Sequence, residues 1–271
     1  GADVMVSKDY ANWGTRVWYG NEWVGKESWK DYMAAGYDAV NGVETLNLGG
    51  ELIEAENLII APGDSAAVTE LSNGDMSVSY MEVADGKLRI AEGTVLETVE
   101  LAAEDRDIEL QGELIVTDGQ IGTLSGTTGE LTIAGELRVD SNVTLGSLDN
   151  AGSLDIGKHK LNVAGALTNG GNVIAGEVVA HNRTRNFAEF DTLVADRVTV
   201  TNTSTSASYT DNISVGDGSA IGELTAEKLE VREGVVTLGR TDAATEQVLK
   251  ALDLQDDAAL VLNQQTSLSV T

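Results

Sequence analysis

Apolar residues along most of this chain stand two apart in short runs, and a glycine introduces many of those runs. The phrase is clearest at Gly86-Lys-Leu-Arg-Ile90, Gly129-Glu-Leu-Thr-Ile133, Gly135-Glu-Leu-Arg-Val139 and Gly152-Ser-Leu-Asp-Ile156. Looser forms stand at Gly112-Glu-Leu-Ile-Val116, Gly165-Ala-Leu167, Gly176-Glu-Val178 and Gly222-Glu-Leu224. Residues two apart share one face of a strand, so each phrase predicts a strand of two to four residues with one apolar side. The preceding glycine reads as a corner residue with positive φ. One such strand cannot bury its apolar row alone, so the copies must stack as a solenoid. Leu131, Ile133, Leu137, Val139, Leu154, Ile156, Leu161 and Val163 are the expected core.

Both ends depart from this rhythm. All four tryptophans (Trp13, Trp18, Trp23 and Trp29) and four of six tyrosines lie in the first forty residues. Asp3 to Val6 reads as an opening strand. Trp29, Tyr32, Met33, Tyr37 and Val40 recur at helical spacing, which predicts an amphipathic helix over about 27–41. A helix laid over the open end of a solenoid covers apolar side chains and unpaired backbone alike. The expected organisation is therefore an aromatic-rich cap over 1–44, a β-helix over 45–239 of roughly nine or ten coils, and a C-terminal piece over 240–271. Val248, Leu249 and Leu252 share a helical face, so that piece is expected to open with a short helix over 241–252 before two terminal strands.

Charge narrows the partners. A formal charge of −27 argues against nucleic acid and against anionic membranes. With no cysteine there is no disulfide framework, and no apolar run is long enough for a membrane span. The chain does not open on a basic-then-apolar signal segment, so export would place Gly1 after a removed leader.

Taken together, Val4 to Leu48 and the strands after it resemble the right-handed parallel β-helix superfamily of pectate-lyase-like proteins. The run from Gly129 to Val139, continued by Gly146 to Ile156 and Leu161 to Leu167, resembles passenger domains of bacterial autotransporters and related surface adhesins. The resemblance covers most of residues 45–239 and implies an all-β, single right-handed parallel β-helix with an N-terminal capping helix. It also implies export to the cell surface or the extracellular space.

Candidate chemistry is sparse. His159 and His181 lack partners at metal-ligand spacing. The clusters Glu104, Asp105, Asp107, Glu109 and Asp253, Asp256, Asp257 are what an acidic chain scatters over a solvated face. Gly216-Asp217-Gly218 has the composition of a calcium-binding turn, which leaves Ca2+ open as a cofactor. Asn142, Asn182, Asn202 and Asn212 begin glycosylation sequons. The segment from His181 to Phe190 carries a basic pair, Arg183 and Arg185, with both phenylalanines, Phe187 and Phe190. It forms one candidate contact loop, and Trp13, Trp18 and Trp23 form a second candidate, either a sugar platform or a plug. The reading is a non-enzymatic extracellular or cell-surface rod that presents loops to a glycan or a neighbouring surface. Two other functions stay open: a structural subunit assembling end to end with its own copies, and a polysaccharide lyase or hydrolase.

Overall fold

The computed structural model describes residues 3–7, 17–19, 22–24, 43–62, 64–182, 188–202 and 211–271. It is a parallel β-solenoid of about ten turns, arranged in two compact units, Gly1–Asp140 and Ser141–Thr271. The expected helix over 27–41 lies outside the described residues. Among those residues every regular element is a strand.

In the first unit, the opening strand Asp3–Ser7 pairs parallel with Leu52–Ala61. From there the chain winds so that each strand pairs with the one a coil later. Val43 lies opposite Val68, Asp75 opposite Val95, Val95 opposite Glu113, and Glu113 opposite Glu130. The coils shorten along the chain: the turn from Val43 to Val68 takes in more sequence than the turn from Glu113 to Glu130. Alternation then aligns one residue type per column. Ile53, Met76, Leu96, Leu114 and Leu131 form one such column, all buried. Each buried aliphatic side chain contributes roughly 1.5–3 kcal/mol of burial. The columns therefore carry the fold.

The only antiparallel pairing among the described strands joins Val17–Tyr19 to Glu22–Val24, with Trp18 opposite Trp23. It is a hairpin outside the parallel ladder.

The second unit repeats the logic. Leu161, Val178, Val198 and Leu224 stack in one buried column above Val143. The coil from Val198 to Leu224 is longer than the one before it, from Val178 to Val198, because it takes in the polar run after Asn202. All eight expected core residues are buried. The parallel ladder also continues past residue 239, where the spacing predicts a short helix. Thr245–Leu249 and Ala251–Leu254 are strands, paired with Thr266–Val270 and Lys228–Val231. The helical spacing misleads here because only Leu249 of the three apolar residues is fully buried. Val248 points outward with 54% of its surface exposed.

The glycines need a second correction. Of the eight in the repeated phrase, only Gly86 has positive φ (+68°). Gly112, Gly129, Gly165, Gly176 and Gly222 are required by close approach instead. A Cβ on any of them would fall inside the contact distance of a backbone carbonyl oxygen one coil away: Ala91, Leu110, Gly146, Lys158 and Asp196 respectively. Gly135 would meet the carboxylate of Asp118. These glycines let one coil settle onto the last.

Candidate functional site

The expected contact loop is divided by the structure. Arg183, Arg185 and Phe187 lie outside the described residues, as does Trp13. Phe190 is not a contact residue: it is one of the largest fully buried side chains, inward from the strand Ala188–Phe190. Its neighbourhood is locked by Arg232, whose guanidinium donates to the Phe190 carbonyl (2.7 Å) and to the Asp191 carboxylate (3.1 Å). Trp18 and Trp23 stand opposite one another in the register of their hairpin, and only that much of the aromatic platform is described.

Two sequon asparagines serve the fold. Asn212 is buried, and the Asn142 side chain accepts the Lys160 backbone N–H at 2.9 Å. The turn Gly216-Asp217-Gly218 is used in the same way. Asp217 Oδ1 accepts the Val235 N–H at 2.7 Å, which commits one oxygen to the next coil rather than to an ion. No group of three or more His, Asp or Glu side chains among the described residues could hold a metal ion. No helix among the described residues is long and apolar enough to cross a membrane.

Cations on the described surface mostly close ion pairs between adjacent coils. Arg89 bridges Glu70 (3.3 Å) and Glu109 (2.9 Å), Lys87 meets Asp107, Lys160 meets Glu177, and Arg197 meets Glu223. Arg240 grips Asp242 through two hydrogen bonds of 2.9 and 3.0 Å, which hold that carboxyl below its ordinary range. One acidic stack runs the other way. Glu113 lies opposite Glu130, and burial first, then the charges of Glu130 and Asp75, push its carboxyl above the usual range. A carboxyl raised by folding adds stability below its unfolded value and loses it as pH climbs through its folded one. Glu113→Gln is therefore expected to stabilise the chain at pH 7 by a few tenths to about 1 kcal/mol, the scale of a cross-strand like-charge pair. The gain should fade as pH falls into the ordinary carboxylate range. Urea midpoints at pH 7 and pH 4 check both halves.

A surface groove of about 830 Å³ lies on the first unit. Three successive coils build it by contributing residues two apart on the outward face: Glu100 and Ala102, Asp118 and Gln120, Glu136 and Arg138. Register stacks Glu100 with Asp118, and Asp118 Oδ1 accepts the Glu136 N–H at 2.7 Å. Ala102, Gln120 and Arg138 stack in a second row. Tyr80 and Glu82 extend both rows by one coil, and burial with the nearby Glu82 and Glu100 charges raises the Tyr80 hydroxyl. Val99, 55% exposed, supplies an apolar wall. Ala102 is the small residue among the outward positions, while Gly119 lies in the inward column between Leu101 and Leu137.

A smaller groove of about 450 Å³ on the second unit is floored by Ile174, Val194 and Ala220, with Lys158 and Arg240 among its lining residues. The coil formed by Ala251–Leu254, Ala259–Leu262 and Thr266–Val270 leaves inward side chains exposed. Its inward positions Leu254, Leu262 and Val270 continue the columns of Val231, Leu238 and Leu249 yet remain 39–51% exposed.

Sequence reasoning missed the groove on the first unit because its residues are separated by whole coils. The repeated pattern of a carboxylate two places before a small or polar residue was the available signal. No family model, curated protein or solved structure matches this chain.

Proposed function

We propose that this chain is a non-enzymatic binding scaffold, extracellular or at a cell surface, built as a right-handed β-helix of the pectate-lyase-like kind and used in the manner of an autotransporter passenger or adhesin. The observation that supports it is the division of labour between faces. Inward columns are aliphatic and close-packed, while outward rows are mostly polar, with exposed aliphatic side chains such as Val99, Ile174 and Val194, and are free to vary without disturbing the core. Contacts with a glycan or a neighbouring surface would then come from the grooves and from the segment holding Arg183 and Arg185, the basic pair on an acidic chain. Charge reversal, Arg183→Glu with Arg185→Glu, is expected to weaken cell or glycan adhesion about tenfold in a surface-binding assay. Unchanged adhesion removes that segment from the functional account.

One observation favours a second reading, end-to-end assembly with copies of itself. The side chains of Leu254, Leu262 and Val270 are 39–51% exposed, an apolar strand surface of the kind that pairs with another chain. Sedimentation velocity over a concentration series separates the readings. A single slow species supports the adhesin, and growing species point to the filament.

A further inference from the structure

We propose that the exposed coil over 251–271 is a pairing surface for a second copy of the same coil, joined tail to tail about a two-fold axis through Val261. This rests on the self-assembly reading above and replaces an open filament with a closed pair. Three strands meet at this surface, and among the described strands each is paired on one side only. Ala251–Leu254 pairs with Lys228–Val231, Ala259–Leu262 with Val235–Leu238, and Thr266–Val270 with Thr245–Leu249. Backbone N–H and C=O groups along three free edges are best met by other strands. Inside those edges Leu252, Leu260 and Leu268 are half-buried, and Leu254, Leu262 and Val270 are 39–51% exposed. The fitting occupant brings three strands with aliphatic residues two apart, which is what this coil itself presents.

Charge permits the approach. Edge strands that avoid pairing carry lysine, proline or inward charges. Here Asp253 is the one charged residue in the three strands, and Lys228 neutralises it at 3.2 Å. The chain as a whole carries −27, so a strand edge almost without charge is a surface that a second negative copy can reach.

Symmetry then fixes the register. A two-fold axis across the solenoid uses the same surface on both copies and runs the facing strands antiparallel. Inward side chains stay inward only where residues of the same face oppose one another. Centring the axis on Val261 meets that condition: outward Val261 lies against its own copy, and inward Leu260 lies against Leu262. The other two strands exchange, so Ala251–Leu254 faces Thr266–Val270 of the second copy, aliphatic row on aliphatic row. The same register carries Asp257 toward Gln265 of the second copy, where a carboxylate meets an amide donor and not another carboxylate. Residues 251–271 supply about twenty residues a side, the lower end of a stable interface. Such a contact closes on itself, and association stops at two.

The test combines sedimentation velocity of the full chain with single-cysteine cross-linking, which is clean because the chain has no cysteine. Directly opposed residues of an antiparallel pair have Cα atoms about 4.5–5.5 Å apart, within disulfide reach. Val261→Cys is therefore expected to give a covalent dimer on mild oxidation. Val235→Cys, exposed on the same sheet one coil further from the axis, is expected to stay monomeric on a non-reducing gel. Sedimentation over about a hundredfold range of concentration should show monomer and dimer only. Val261→Lys sets two ammonium groups face to face, and should weaken association about tenfold or more with an unchanged melting curve, since Val261 is 47% exposed. Added salt should strengthen the pair by screening repulsion between two negative chains. Species that grow past the dimer would keep end-to-end assembly and overturn the two-fold pair. A dimer trapped through Val235→Cys but not Val261→Cys would overturn the end surface. A monomer at every concentration would overturn the pair and the self-assembly reading together.

Discussion

The Leu154→Asp chain is expected to lose its cooperative thermal transition or to melt far below the parent. Leu154 is fully buried, its strand neighbour is Val173, and Val173 is itself stacked on Leu193. Removing a buried leucine side chain costs about 2–5 kcal/mol when alanine replaces it. Aspartate adds the desolvation of a carboxylate that has no cation or donor within the column. Total stabilities of domains are about 5–15 kcal/mol, so the sum reaches a large part of what holds the fold together. The carboxylate would regain part of the loss by taking up a proton. The variant should therefore be least unstable at low pH, opposite to a surface substitution. Circular dichroism melts at pH 7 and pH 4 read both effects, and a parent-like melt at pH 7 would place Leu154 outside the core.

The second large effect should come from a methyl group. Gly165→Ala puts a Cβ against the backbone carbonyl of Gly146, and backbone cannot rotate out of the way as a side chain can. Overpacking of this kind costs about 1–3 kcal/mol, and the strand beginning at Leu167 must shift to accept it. Gly157→Ala is the matched control. Gly157 sits at φ +58° with open space where its Cβ would go, so only the left-handed backbone is strained, at about 1–2 kcal/mol. Denaturant midpoints should order the three chains as parent, Gly157→Ala, then Gly165→Ala. The reverse order for the two variants would return the repeat glycines to a torsional role.

How far the sequence could be read follows from the range of each interaction. The buried rows Leu131/Ile133 and Leu161/Val163 were legible because alternation is a local property of one strand. The stretch 241–252 was not, since Val248, Leu249 and Leu252 fit a helical face as well as a strand that exposes Val248 and buries Leu249. Pairing with Thr266–Val270 decides between them, and that contact is distant in sequence. Phe190 misleads for a related reason. Its basic, polar context has the composition of a loop, but it lies on the inward face of a three-residue strand. The groove was legible only in fragments. Glu104 belongs to a cluster that composition alone can explain, whereas Gln120 and Arg138 become neighbours only through the register of parallel strands. That register is not periodic, because the coil joining Val198 to Leu224 is far longer than the one joining Asn212 to Lys228.

The side-chain links between coils reach beyond stability. Asp118 accepts the N–H of Glu136 and fills the space beside Gly135, and Asp217 does the same for Val235 beside Gly234. Each aspartate is thus matched to a glycine one coil later, at the same spacing in both pairs. Lineages of this chain that lose one member of such a pair should be released from keeping the other, so substitutions at the two positions should arrive together. Insertions and deletions should likewise be confined to whole coils or to the connections between strands, because a shift of one residue between Asp118 and Gly135, or between Asp217 and Gly234, would separate that aspartate from its glycine. Growth or shrinkage of such a chain over evolutionary time would then proceed in steps of one coil.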